Sequence, residues 1–165
     1  MNDRADAIIL EATRVLDLCR ERGLTVATAE SCTGGLVAGA LTEIAGSSDV
    51  VDRGFITYSN AAKMDVLGVS ATTLRAHGAV SAETAREMVT GLLAAAGTSL
   101  GVSITGIAGP GGGSDEKPVG LVHFAAMRAD GQMIERREVF AGQDRSGVRR
   151  LAVLTALAML AELAG

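Results

Sequence analysis

A chain of 165 residues with a formal charge of −4 fits one domain of ordinary size, residues 1–165, and argues against a nucleic-acid partner, which selects for a basic face. With no tryptophan, three phenylalanines, one tyrosine and 21 glycines, the core must be packed from aliphatic side chains brought close together. Two cysteines (Cys19 and Cys32) and two histidines supply neither a disulfide framework nor a metal quartet. The apolar runs are shorter than the ~20 residues of a bilayer span, so the expectation is a soluble cytoplasmic protein with no metal and no membrane contact.

The opening "MNDRADAIILEA" is acidic, unlike a signal peptide. Residues 4–22 set Ala5, Ile8, Ile9, Ala12, Val15, Leu16 and Cys19 on one helical stripe, closed by Gly23. "TVATA" (25–29) is short, apolar and β-branched, a buried strand. A helix follows from about Gly34 to Ile44. "GFITYS" (54–59) predicts a second strand, and Asn60 a cap on a short helix over 61–67. "RAHGAV" reads as a helix end at His77. Ser81 caps the next helix, whose stripe runs from Ala85 through Met88, Val89, Leu92 and Leu93 to Ala96. "SLGVSITGIAG" (99–109) is a third strand entering a glycine tract. Residues 119–127 and 133–140 form a hairpin across Asp130-Gly131, and 144–164 a last apolar helix. Early alternation and a late hairpin predict a three-layer α/β/α fold with a mixed five-stranded sheet.

Open α/β sheets bind ligands beyond the carboxyl ends of their strands. Three such ends carry polar or glycine-rich residues: "AESCTGG" (29–35), "TYSNAAK" (57–63) and "TGIAGPGGG" (105–113). In the first, Ser31 is either a nucleophile in a strand-to-helix turn or, like Thr33, a helix cap. Gly34 and Gly35 admit close approach of substrate, and the first-turn amides offer an oxyanion site. Cys32 is the other nucleophile, if a helix N-terminus lowers its pKa; the alternative, which its position beside Ser31 favours, is a core side chain. No histidine falls in these loops: His123 alternates within a strand and His77 ends a helix.

The lysines are Lys63 and Lys117. "SDEK" (114–117) matches S-x-x-K only formally, since Pro118 disfavours helix at Lys117. Lys63, five residues after Tyr58, is the better base. Bringing its pKa from ~10.4 to neutrality costs roughly 4 kcal/mol, which partial burial can supply. Tyr58 can orient the lysine or relay its proton; the plain alternative is a solvated surface lysine. The glycines 109–113 are a phosphate nest or a mobile lid. Arg136, Arg137, Arg145, Arg149 and Arg150 form a solvated face from which one or two can hold an anion.

Four stretches in order, "TVATAESCTGG", "EIAGSSDVVDRGFITYSNAAK", "GVSITGIAGPGGGSDEKPVGLVHFA" and "DRSGVRR", resemble the CinA C-terminal domain family in its stand-alone, nicotinamide-nucleotide amidase form, over roughly 25–155. The resemblance implies hydrolysis of the carboxamide of nicotinamide mononucleotide to nicotinate mononucleotide and ammonia, on a three-layer domain without metal or cofactor. It places the nucleophile on Ser31, the base on Lys63 and an assisting tyrosine on Tyr58. Ser48, in "GSS", is second choice as nucleophile or positioning residue. Substrate-binding positions are Thr33, Gly34, Gly35, Thr105, Gly106, Gly109 and Arg145, with Arg145 and loop amides meeting the phosphate. Two other readings stand beside it: an amidase for another small carboxamide, and a catalytically silent or regulatory CinA-type binding domain. A homodimer is expected, with burial of 151–164 requiring a partner.

Overall fold

The structure, a computed structural model, describes residues 3–165, with side chains from Asp6 onward. Met1, Asn2 and the side chain of Ala5, first in the predicted stripe, lie outside the described residues. The elements are α1 (Asp3–Arg22), β1 (Val26–Glu30), α2 (Leu36–Thr42), a 3-10 turn (Ser47–Asp49), β2 (Val51–Ile56), α3 (Asn60–Leu67), α4 (Ala71–His77), α5 (Ala82–Ala96), β3 (Leu100–Gly106), β4 (Leu121–Arg128), β5 (Met133–Val139) and α6 (Arg145–Ala164).

One five-stranded sheet has the order β2-β1-β3-β4-β5. β1 runs parallel to both β2 and β3, and β4 and β5 complete it antiparallel. This is the mixed sheet expected. Its strands alternate between two cores. Val26, Val102, Ile104, Val122 and Phe124 face α1, α2 and α6; Ala27, Ala29 and Ala125 face α3 and α5. β1 is buried at every residue because helices cover both sides of it.

Small residues on the second face let α5 sit close. Within that layer Gly91 of α5 crosses the end of α3 so tightly that a Cβ there would lie 1.7 Å from the Leu67 carbonyl oxygen. On the other face, Ala152, Ala156, Leu157 and Leu160 of α6 pack with Val15, Leu16 and Cys19 of α1, all fully buried. The expectation that residues 151–164 need a partner is thereby corrected: α1 covers them within the chain.

Several boundaries move for local reasons. β2 starts three residues before the predicted strand because Val51–Arg53 pair with β1; as an edge strand it tolerates solvent-facing Asp52 and Arg53. Ser59, not Asn60, caps α3, its hydroxyl accepting from the Ala62 amide at 3.0 Å. α2 begins at Leu36 because Gly34 (φ 59°) and Gly35 (φ 99°) occupy the left-handed region, which a right-handed helix excludes. β3 stops at Gly106, short of the predicted 109. α4 goes beyond the single helix end read at His77; Ser70 caps it and Gly78 follows it. Ser81 caps α5 as expected, at 3.1 Å from the Thr84 amide, and Gly131 (φ 97°) forms the hairpin turn.

Candidate active site

β1, β2 and β3 are parallel, so the segments after them meet at one edge of the sheet. There an open cleft of about 260 Å³ is lined by Ser31, Cys32, Tyr58, Lys63, Thr105, residues 106–109 and 111–112 of the glycine loop, Ala79, Val80 and Arg145.

Ser31 directly follows β1, and its amide donates to the Ile104 carbonyl of β3 at 2.9 Å. The strand's last residue, Glu30, is a buried carboxylate and was not anticipated as part of the site. It accepts from the amides of Val37 (2.8 Å) and Ala38 (3.1 Å) and from the Thr28 hydroxyl (3.2 Å). A carboxylate at a helix N-terminus is favoured by the exposed amides and the dipole. Glu30 therefore takes the first-turn donors of α2 that were expected to serve an oxyanion. The remaining candidate is the amide of Cys32, the cleft-lining residue directly after Ser31, which donates to no carbonyl among the described residues.

The amine of Lys63 reaches Ser31 from the first turn of α3. Its Nζ lies 2.9 Å from Ser31 Oγ, 2.7 Å from the Thr57 carbonyl oxygen and 3.3 Å from that of Tyr58. The lysine is 1% exposed, so the solvated-surface alternative is corrected. Burial lowers its pKa from 10.5 to about 8 because the low-dielectric interior disfavours the ammonium form. The three contacts use all three ammonium protons. After one proton leaves, the two carbonyls can hold the remaining N–H groups, which turns the nitrogen lone pair toward Ser31 Oγ.

Tyr58 meets Lys63 through its backbone rather than its hydroxyl. Its carbonyl touches Lys63, while its hydroxyl, on a side chain 60% exposed, accepts from Arg145 at 3.0 Å. Arg145 also donates to the Gly109 carbonyl at 2.7 Å. This bridge ties the loops after β2 and β3 to the start of α6 at the cleft. Thr105 lines the cleft, its hydroxyl committed to the Ala79 carbonyl at 2.7 Å. Gly106 and Gly109 are also in the lining.

Other expected residues are elsewhere. Thr33 is fully buried and, with Gly34 and Gly35, lies outside the cleft lining; the glycines serve the turn. Their carbonyl neighbours are held by Arg149 of α6, which donates to the Cys32 oxygen at 3.1 Å and the Thr33 oxygen at 3.2 Å. Arg149 belonged to the basic cluster expected to be a solvated face. Ser48 sits in the 3-10 turn leading into β2. Val26, at the start of β1, bonds Val50 nearby, whereas Ser31 follows the strand's end. A five-residue strand spans about 16 Å, so the chain does not bring its own Ser48 to Lys63.

The competing chemistries also separate. Burial pushes the Cys32 thiol up to about 12, so it stays protonated, contrary to a thiolate nucleophile. Ser114 Oγ accepts from the Lys117 amide in a turn, while Lys117 Nζ bonds the His77 carbonyl; the S-x-x-K spacing builds no pair. Neither histidine lines the cleft. Among the described residues no group of three His, Cys, Asp or Glu side chains is placed to hold a metal, and no helix is long and apolar enough to cross a membrane.

The family model of the CinA C-terminal domain matches residues 10–164. The chain is 57% identical over 141 residues to the nicotinamide-nucleotide amidohydrolase PncC of Escherichia coli strain K12, spanning 86% of this chain and 85% of that protein. It is 53% identical over 138 residues to the protein of the same name from Enterobacter agglomerans, spanning 84% of each. The crystal structure of competence/damage inducible protein CihA from Agrobacterium tumefaciens aligns with a TM-score of 0.94 and 52% identity over 95% of both chains.

Proposed function

The chain belongs to the CinA C-terminal domain family, and from that premise we propose that it hydrolyses the carboxamide of nicotinamide mononucleotide to nicotinate mononucleotide and ammonia. The observation carrying the chemistry is the contact of Lys63 Nζ with Ser31 Oγ at 2.9 Å on the floor of the cleft. The substrate is taken from the names of the relatives.

In this reading neutral Lys63 removes the Ser31 hydroxyl proton as Oγ attacks the carboxamide carbon. The tetrahedral oxyanion is met by the amide of Cys32, the cleft-lining residue directly after Ser31. The Lys63 ammonium then protonates the leaving nitrogen, the C–N bond breaks, and ammonia departs from a Ser31 ester. Water, deprotonated by the same amine, attacks the ester carbon and releases the carboxylate, and Ser31 regains its proton from Lys63. Arg145 and the amides of the 108–112 loop hold the phosphate. A planar guanidinium suits an anion with several oxygens, and Arg145 keeps N–H groups beyond the two bonded to Gly109 and Tyr58. A cytoplasmic homodimer, using exposed apolar residues such as Ile9, Leu10 and Leu36, completes the reading and is checked by light scattering.

The decisive assay is ammonia release from nicotinamide mononucleotide, beside free nicotinamide and other small carboxamides, with and without a chelator. Saturable turnover of the nucleotide, insensitive to the chelator, is expected. Faster turnover of a different carboxamide would reassign the substrate, and no turnover of any would favour a binding domain.

A further inference from the structure

Arg149 presents a partly buried charge that forms no ion pair with a carboxylate among the described residues. It lies one helical turn beyond Arg145 on α6, but its hydrogen bonds run to backbone rather than toward the cleft. They go to two consecutive carbonyls, Cys32 and Thr33, immediately after Ser31. The fit is close: a Cβ on Gly34 would lie 3.4 Å from a terminal nitrogen of Arg149. Desolvating a guanidinium for two neutral acceptors is costly, which asks what the arrangement achieves.

A trans peptide sets its N–H antiparallel to its C=O. Holding the Cys32 oxygen therefore fixes the direction of the Thr33 N–H, and holding the Thr33 oxygen fixes that of Gly34. The Gly34 amide in turn donates to the Ser31 carbonyl at 3.0 Å, closing a tight turn around the serine. A cation bonded to a carbonyl also polarises its peptide, making the amide on the far side a stronger donor. The Ser31 carbonyl so held sets the direction of the Cys32 N–H in turn, so every consequence of the clamp falls on the turn that presents Ser31 Oγ and the Cys32 amide to the cleft.

We propose that Arg149 is a positioning residue for catalysis: by clamping the Cys32 and Thr33 carbonyls it sets the Ser31 turn and, with it, the serine hydroxyl and the Cys32 amide that meets the charge developing on the substrate's carboxamide oxygen. This rests on Ser31 being the nucleophile. Arg149 touches no substrate, so its removal lowers kcat and spares KM. Losing oriented oxyanion donors costs about 10²–10³ in kcat. Arg149→Gln is expected to fall by about 10², with KM for nicotinamide mononucleotide and the apparent pKa of the rate both unchanged. Arg149→Lys keeps the charge but is shorter and replaces the planar fork, whose Nε and terminal nitrogen each meet one carbonyl, with a single nitrogen, so it too should lose at least about tenfold. It serves as the measurement if the Gln variant does not fold. Rates are taken well below each variant's Tm, so that a purely structural role gives wild-type kcat.

A wild-type kcat in a folded variant, or a loss confined to KM, overturns the proposal. So does full activity in Arg149→Lys, which would make charge alone sufficient. Ser31→Ala measured alongside separates the two levels. If that variant keeps its activity, the nucleophile assignment has failed; if it is inactive while Arg149→Gln is not impaired, only the clamp has failed.

Discussion

Lowering the pH from 8 to 6.5 should slow ammonia release about 16-fold at subsaturating substrate, if Lys63 with its pKa of about 8 must be neutral to act. The magnitude comes from burial. At pH 7 roughly one molecule in eleven carries the neutral amine, against about one in three thousand for the ordinary value of 10.5, a gain of about 300-fold in competent enzyme. The assay is the initial rate over pH 6.5–9.5, held above the second ionisation of a phosphate monoester near ~6 so that the substrate does not titrate with the enzyme. A log-linear rise with unit slope and a plateau above pH 8 is expected.

The same shift has a stability signature of defined sign. The folded pKa lies below the unfolded one, so the native state binds fewer protons between about 8 and 10.5. Burying Lys63 thus costs about 3 kcal/mol in full below pH 8, and that cost is relieved as pH rises to 10.5. Lys63→Met removes the charge but orphans the Thr57 and Tyr58 carbonyls, at ~1–3 kcal/mol each, so its net effect at pH 7 is small. The difference between wild type and variant should nevertheless move toward wild type by about 3 kcal/mol from pH 8 to 10.5. A flat rate profile between 6.5 and 8, or a midpoint above 10, would refute the reasoning.

Ser31→Ala should abolish ammonia release while leaving Tm nearly unchanged, and Lys117→Ala, whose amine bonds the His77 carbonyl, should retain wild-type kcat; an equal loss at Lys117 would point to a different base. Iodoacetamide at pH 8 should leave activity intact, because the Cys32 thiol is held near 12 and only thiolate alkylates; rapid inactivation with label on Cys32 would contradict this. Gly91→Ala should lower stability by about 3 kcal/mol or more, since its Cβ would fall 1.7 Å from backbone oxygen and neither helix can yield cheaply. Thermal denaturation measures it, and a loss below about 1 kcal/mol would mean that the helices separate easily.

Short-range pattern in the chain determined the order of elements, the mixed sheet and the edge at which the site assembles. Buried apolar runs such as "TVATA", hydroxyl caps such as Ser81, and glycines at helix ends such as Gly23 each report backbone conformation within a few residues. Since β1, β2 and β3 run parallel, naming their ends was enough to bring Ser31, Tyr58, Lys63 and Thr105 into one cleft. Pairing and burial belonged to the tertiary structure. Lys63 stands 32 residues from Ser31 on a helix with no strong apolar stripe, and only the packing of α3 against α5 and the edge of the sheet removes its amine from water. Glu30 signals nothing locally beyond an acid ending an apolar strand; the return of α2 over it makes it a cap. Arg149 reads as surface charge until α6 is laid across the Ser31 turn. Ser48 is separated from Lys63 because its turn precedes a strand whereas the others follow one. Local sequence constrains φ, ψ and amphipathic faces, whereas an amine's pKa and a carbonyl's partner depend on neighbours set by strand order and helix docking.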